Sequence, residues 1–291
     1  MNTHPISAVI VTFHPNEGMI ANLREIVAQV QEVVVVDNGS RADILDMLRM
    51  ASRTFGFQLI ENADNLGIAE ALNQGVRWAK SKGFPWVIFF DQDSKITDGF
   101  VDQMFNSWES HPYRERVCSI HPRYLDPNCG THLGVRFAKD GGPITSMTSG
   151  AMMPVWIFDK IGYFASEYFI DWVDIEYCLR IRAAGYLIAE SQYAVLKHSA
   201  GHPQMVTFAG FRFWPTHHSP IRRYYISRNR IAVYRKYFRV FPAWTLHLVY
   251  ESLRETAKCF LGERDRAHKF RNFVLGTRDG LAGRMGKREG L

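Results

Sequence analysis

The stretch VIFFDQDSK, residues 87–95, decides the fold. Val87, Ile88, Phe89 and Phe90 form an unbroken apolar run, the pattern of a strand buried on both faces in a parallel sheet. The chain then presents Asp91, Gln92 and Asp93. Two carboxylates one residue apart repel each other unless a cation or water stands between them. Strand side chains two positions apart share a face, so both carboxylates point the same way if the extended geometry persists past Phe90. Hard oxygen ligands placed so suit Mg²⁺ or Mn²⁺, which keeps waters and bridges substrate phosphates. The competing reading is a solvated turn, or a cap for a helix after Asp98.

Working toward the N-terminus, the same grammar repeats. SAVIVTF (7–13) reads as a strand, and Ile20, Leu23, Ile26, Val27 and Val30 follow at helical spacing. EVVVVDNGS (32–40) is a second apolar strand, residues 41–52 a helix, FQLIEN (57–62) a third strand, and GIAEALNQGVRWAKSKG (67–83) a helix ended by Gly83. Apolar strands alternating with amphipathic helices predict an α/β fold with a mainly parallel sheet covered by helices. Ligands in such sheets bind beyond the carboxyl ends of the strands, where this chain places Thr12, Asp37 with Asn38, and Asp91 with Asp93. Asp37 is either a turn residue or an acceptor for the imide N–H of uracil or thymine. Asn65 and Gly67, at a helix start, either cap it or offer free N–H groups to phosphate. The Gly-x-Gly-x-x-Gly and P-loop signatures are absent, which disfavours a dehydrogenase or a P-loop kinase.

Residues 110–150, rich in Pro, Gly and His, predict an irregular segment with short strands. FIDWVDIEYCLRIRAAGY (169–186) predicts a helix with Asp171, Asp174 and Glu176 at its N-terminal end. These acids either complement the helix dipole or supply a general base, whose proton affinity the neighbouring Trp172 and Val173 would raise. His198 is a buried structural residue or a metal ligand.

The 291 residues suit one large α/β domain with an appendage. The net charge of +6 is uneven: residues 221–291 hold 17 Lys and Arg against 6 Asp and Glu, so the balance is +11 there and −5 over residues 1–220. We therefore expect a main α/β domain over 1–220, which the resemblance given below would make the catalytic domain, and a basic helical extension over 221–291, the latter with an anionic partner. Leu246, Val249, Leu253, Ala257 and Phe260 recur as one apolar helical face, which either docks on an anionic membrane or packs on the body. The opening MNTHPISAVIVTF has neither the basic start nor the cleavage site of a signal peptide, and the four cysteines make no Cys-x-x-Cys pair, so a cytoplasmic protein is expected.

In order along the chain, Val-Thr-Phe-His, Val-Asp-Asn-Gly-Ser, Asn-x-Gly, Asp-Gln-Asp, Asp-x-Glu-x-x-x-Arg-x-x-x-x-Gly and His198 resemble the family-two inverting glycosyltransferases of GT-A fold. FFDQDS with SPIRRYYISRNRI is most similar to the rhamnosyltransferase branch, whose donor is dTDP-L-rhamnose. The resemblance implies a metal-dependent enzyme using Mg²⁺ or Mn²⁺. Thr12 and Asp37 would hold the nucleotide, with Asn65, Gly67 and Asn73 around base and ribose and Arg228 and Asn229 near the diphosphate. Asp91 would contact ribose or metal-bound water, Asp93 would ligate the metal, and His198 would be its distant second ligand. Asp174 matches the catalytic base, and Ser149 and Gly150 lie where the acceptor site begins, with Asp171 and Trp172 on the acceptor side. Many relatives have Glu before the catalytic Asp where this chain has Val173, which leaves Asp171 as a second candidate base. The implied substrates are dTDP-L-rhamnose, or a UDP-sugar, and a polysaccharide or lipid-linked glycan acceptor. Two rivals stay open: a sugar nucleotidyltransferase, though TFHPNEG is not its Gly-rich basic loop, and a nucleic-acid-binding protein using the basic end, which the acidic body argues against.

Overall fold

The computed structural model describes residues 4–126, 131–132, 136–197, 205–208, 211–213, 215 and 217–290. The chain divides into two compact units, one of Met1–Ser166 with Val173–His198 and the other of Glu167–Trp172 with Ser199–Leu291. The expected boundary at 220/221 lies inside the second unit.

In the first unit, strands β1 (Ile6–Thr12), β2 (Glu32–Asp37), β3 (Gln58–Glu61) and β4 (Trp86–Asp91) alternate with helices α1 (Gly18–Val27), α2 (Ala42–Phe55) and α3 (Ile68–Ser81). Helix α4 (Phe100–Glu109) follows, then β5 (Val117–Asp126), β6 (Thr131–His132), β7 (Met152–Pro154), α5 (Trp156–Ile161), α6 (Val173–Ala183) and β8 (Leu187–Lys197). Among the described residues the sheet has eight strands in the order β3-β2-β1-β4-β7-β5-β6, with β8 paired to β5. The first four are parallel, as the alternation predicts, and their register sets Thr12 opposite Asp37 and Val11 opposite Asp91. The polar ends of β1, β2 and β4 therefore emerge level with one another.

The apolar runs explain why these strands are central. Val87, Ile88 and Phe89 are fully buried, and each such side chain contributes about 1.5–3 kcal/mol of burial free energy. Helix α3 lies directly on β1: a Cβ at Gly75 would stand 2.2 Å from a methyl of Val9, so only glycine fits there. Two expectations need correction. Residues 117–126 form a ten-residue strand rather than an irregular run. The helix expected from 169 begins at Val173, because Phe169, Asp171 and Trp172 have φ of 65°, 63° and 68°, a left-handed conformation that a helix does not accept.

The second unit comprises a hairpin, β9 (Val206–Phe208) and β10 (Phe211–Phe213), and helices α7 (Pro220–Tyr237), α8 (Pro242–Gly262) and α9 (Arg266–Leu281). Ser219 caps α7 by accepting the Arg222 N–H at 3.3 Å, with Pro220 in the first turn where its missing N–H is harmless. Helices α7 and α9 meet backbone to backbone. A Cβ at Gly276 would lie 2.2 Å from the Tyr224 carbonyl oxygen, and one at Gly280 would lie 2.6 Å from that of Arg228. Buried Glu263 joins the helices by accepting from Arg223 at 2.9 Å, Lys269 at 2.7 Å and the His217 N–H at 2.9 Å. Removing one partner of such a buried pair would leave an uncompensated charge.

Candidate active site

At the carboxyl end of the sheet, three loops are tied together. Thr12 donates its hydroxyl to Asp37 Oδ2 at 3.0 Å, and Asp37 also accepts from the Ser40 N–H at 2.8 Å and the Ser40 hydroxyl at 2.6 Å. The Phe13 N–H donates to the side-chain oxygen of Gln92 at 2.9 Å, which fixes the Asp-Gln-Asp turn to the end of β1. Thr12 and Asp37 are fully buried. The two side chains, which the resemblance assigns to the nucleotide, bond to each other, and Asp37 bonds to Ser40, at the carboxyl end of the sheet.

Asn38, named in the sequence with Asp37 at a polar strand end but given no role of its own, organises the neighbouring loop. Its amide donates to Asn65 Oδ1 at 3.1 Å and its oxygen accepts the Leu66 N–H at 3.0 Å. Asn65 Oδ1 also accepts the Gly67 N–H at 2.9 Å, one residue before α3. Gly39, at φ 89°, lets the two loops meet, since a Cβ there would stand 2.7 Å from the Asp64 backbone. Asn73, expected near base and ribose, is instead buried and engaged inside the unit. It donates to the Phe164 carbonyl at 2.8 Å and accepts the Phe164 N–H at 2.9 Å.

The structure brings Ser149 and Gly150 against the end of β4. Ser94 and Ser149 hydroxyls are 2.7 Å apart, the Asp91 N–H donates to Ser94 Oγ at 2.9 Å, and the Gly150 N–H donates to the Phe89 carbonyl at 2.6 Å. Gly150 has φ 78°, and a Cβ there would lie 2.7 Å from the Pro122 ring, so this corner needs glycine on both counts.

Two residues of β5 hold the segment that carries Ser149. Tyr124 donates to the carbonyls of Met147 and Ser149, at 3.1 and 2.9 Å. His121 bonds the Met147 carbonyl through Nδ1 at 3.0 Å and Ser119 through Nε2 at 2.8 Å. A carbonyl only accepts, so Nδ1 carries a proton. Burial pushes the His121 pKa down to about 4, against the pull of the Met147 carbonyl. The Tyr124 hydroxyl is held above its ordinary range, first by burial; a Ser146 hydrogen bond opposes this, and the charges of Cys178, Asp174 and Asp91 add to it. Asp91 from β4 and Asp174 from α6 therefore act on one hydroxyl of β5. Neither His121 nor Tyr124 was flagged in the sequence.

Asp174 sits in the first turn of α6, half-buried, and its Oδ1 accepts the Ile175 N–H at 2.8 Å. Two residues on, Glu176 is fully buried and bridged to Arg180, whose Nη1 also donates to the Tyr163 carbonyl at 2.7 Å. The Glu and Arg of the motif thus anchor the helix, and the Asp is the acid left toward solvent. Asp93 is exposed just past β4, and Asp91 is half-buried. No group of three or more His, Cys, Asp or Glu able to hold a metal stands among the described residues. Asp91 and Asp93 nonetheless fit a hard cation that completes its shell with water and phosphate oxygens. His198 lies outside the described residues; Lys197, the residue before it, donates its N–H to the Lys95 carbonyl at 3.2 Å.

In the second unit, Arg228 and Asn229 are buried, and both turn to the 167–172 loop. Arg228 Nη2 donates to the carbonyls of Glu167 and Tyr168 at 3.2 and 3.0 Å. Asn229 Nδ2 lies within 2.9 Å of the carbonyls of Tyr168, Ile170 and Asp171. The two side chains that the resemblance sets near the donor diphosphate are thus engaged with this loop. Asp171, the second candidate base, is ion-paired to Arg222 at 2.7 Å, and Trp172 stands edge-on to Tyr234 with ring centres 5.7 Å apart.

Comparison with known proteins bears on the fold and the family. S. aureus TarS shares the fold with a TM-score of 0.59 at 17% identity; the match covers 89% of this chain and 44% of TarS, so the chain spans less than half of that protein. The mannosyltransferase PcManGT of Pyrobaculum calidifontis, solved with GDP-Man and Mn²⁺, has a TM-score of 0.57 at 14% identity, covering 96% of this chain and 88% of the other. The fold is therefore that of the GT-A glycosyltransferases. Residues 7–136 match the model of glycosyl transferase family 2. Over 98% of both chains the sequence is 30% identical to the dTDP-rhamnosyl transferase RfbF of Shigella flexneri. The chain belongs to glycosyl transferase family 2 and is a glycosyltransferase.

Proposed function

We propose that the enzyme transfers L-rhamnose from dTDP-L-rhamnose to a hydroxyl of a polysaccharide or lipid-linked glycan, with inversion at the anomeric carbon. The observation that carries this reading is the register that sets the polar ends of β1, β2 and β4 level, with Thr12 opposite Asp37 and Val11 opposite Asp91, and with Ser149 held beside the end of β4 by its 2.7 Å hydroxyl contact with Ser94; this supports a donor side and an acceptor side that meet at Asp91. The near full-length likeness to RfbF supports the choice of donor.

In this reading Asp93 and Asp91 hold Mg²⁺ or Mn²⁺, with His198 as the further ligand. The bound cation would stabilise the charge that develops on the leaving diphosphate; Mn²⁺ in the PcManGT complex supports a divalent ion. Asn65, through its amide N–H groups, and the strand ends that carry Thr12 and Asp37 would receive the nucleotide, with Gly67 holding the loop through its bond to Asn65. Asp174 takes the proton of the acceptor hydroxyl as its oxygen bonds to the anomeric carbon and the bond to the diphosphate breaks. Direct displacement inverts that carbon, and no sugar–enzyme intermediate forms. Ser149 and Gly150 supply the acceptor side. No helix among the described residues is long and apolar enough to cross a membrane. We place the enzyme in the cytoplasm, at the inner membrane face where a lipid-linked acceptor resides.

The test is turnover of a donor series with a lipid extract as acceptor source. Release of dTDP from dTDP-L-rhamnose, dependent on Mg²⁺ or Mn²⁺, is expected; consumption of a UDP-sugar in its place would overturn the donor assignment.

A further inference from the structure

The outer faces of α8 and α9 are apolar and open. Leu246, Tyr250 and Leu253 on α8, with Phe270, Val274 and Leu281 on α9, are between 45% and 66% exposed. Their spacings of four and three on α8, and of four and seven on α9, set each group on one side of its helix. The opposite sides face inward: Trp244, Thr245 and Cys259 are buried on α8, while Gly276 and Gly280 seat α9 on α7. The two stripes join where Phe260 meets Phe270, with ring centres 5.5 Å apart. The sequence alone left open whether the α8 stripe turns to the body; Leu246 and Leu253 turn outward.

Arginines border these stripes. Arg254 follows Tyr250 by four, Arg266 precedes Phe270 by four, Arg271 precedes Val274 by three, and Arg278 stands between Val274 and Leu281. All four are exposed. Over residues 235–290, ten Lys and Arg are exposed against two exposed acids, Asp265 and Glu289. Of the other acids, Glu251 and Glu255 are part-exposed and paired with Arg254 and Lys258, while Glu263 and Asp279 are buried and ion-paired inside the unit.

We infer that the α8–α9 face is a docking surface for an anionic lipid leaflet, its apolar stripe entering the acyl boundary and its arginines meeting the headgroups. An apolar face rimmed by long cationic side chains suits that interface, because the arginine stems lie along apolar surface while their heads reach phosphate. A second copy of the same face would bring like charges together, and a nucleic acid would leave the leucines and phenylalanine in water. The surface stands apart from the donor and acceptor assignments, since no residue of it belongs to the proposed catalytic machinery.

The test is flotation of the full-length protein. It is expected to float with vesicles containing phosphatidylglycerol, to stay down with phosphatidylcholine alone, and to lose affinity as salt shortens the screening length. Arg254→Glu with Arg271→Glu is expected to weaken partitioning by about 25-fold or more, at roughly fivefold for each basic residue removed from an anionic surface. Leu253→Glu with Val274→Glu, both at exposed positions, is expected to abolish flotation with the melting temperature and donor turnover unchanged. The inference is overturned if wild type stays down with the anionic vesicles, or if the Leu253→Glu, Val274→Glu protein floats as wild type does. It is also overturned if light scattering finds a dimer that Leu253→Glu converts to a monomer, since a second copy would then cover the face. Flotation reads no transfer, so its failure would leave the glycosyltransferase reading intact.

Discussion

Tyr124 donates its hydroxyl to the carbonyl of Ser149 at 2.9 Å, and through that bond β5 fixes the segment that lies against Asp91. Tyr124→Phe removes this donor and the one to Met147. Two buried carbonyls lose a partner, at a cost of about 1–3 kcal/mol. We expect a lower melting temperature and, because Ser149 and Gly150 are no longer held, a higher acceptor KM with donor affinity little changed. A wild-type melting temperature and KM would show that the bond positions nothing.

Asp174→Asn is expected to keep the fold and donor affinity while lowering kcat by about 10²- to 10⁴-fold, the usual effect of losing a placed general base. Asp171→Asn should cost far less, because that carboxylate is bound to Arg222 at 2.7 Å. Stopped turnover in Asp171→Asn beside near-normal turnover in Asp174→Asn would reverse the assignment.

The alternation of β1 to β4 with α1 to α3 was legible because each strand is an apolar run ending in polar residues, and the observed parallel register follows from it. The acids at strand ends were legible for the same reason. Strand β5 was not, since Pro122 interrupts SIHPRYLD and the carbonyls that His121 and Tyr124 bond lie more than twenty residues away in the chain. Local pattern carries no record of such contacts. Asn73, Arg228 and Asn229 have the chemistry of ligand contacts, and only burial shows them bonded within the protein. The true start of α6 was hidden because Phe169, Asp171 and Trp172 adopt a left-handed backbone that non-glycine residues rarely take.

That left-handed run rests on Asn229. Asn229→Ala leaves the carbonyls of Ile170 and Asp171 without their side-chain donor, while that of Tyr168 keeps Arg228. Loss of about 1–3 kcal/mol is expected, together with faster chymotryptic cleavage at Phe169 or Trp172. Unchanged stability and cleavage would mean that other contacts hold the loop.

His121 makes stability depend on pH. Its folded pKa, pushed down to about 4 by burial, lies below the ordinary 6.5, so between these values the unfolded chain binds more protons and acid favours unfolding. Its contribution is present above pH 6.5 and is lost as pH falls toward 4, on the order of 3 kcal/mol across the window. His218, also lowered to about 4 by burial, acts in the same direction. His121→Asn should flatten part of the fall in melting temperature between neutral pH and pH 5. A slope equal to that of wild type would remove His121 as a source.

The central claim is that Asp91 and Asp93 at the end of β4 bind a nucleotide sugar through a divalent cation. Isothermal titration of dTDP-L-rhamnose, in Mn²⁺ and in excess chelator, tests it without an acceptor. The account predicts binding that chelator weakens at least tenfold in wild type, and weak binding in Asp93→Ala whether or not metal is present. Equal affinity with and without metal, or an Asp93→Ala protein that binds as wild type does, would contradict it.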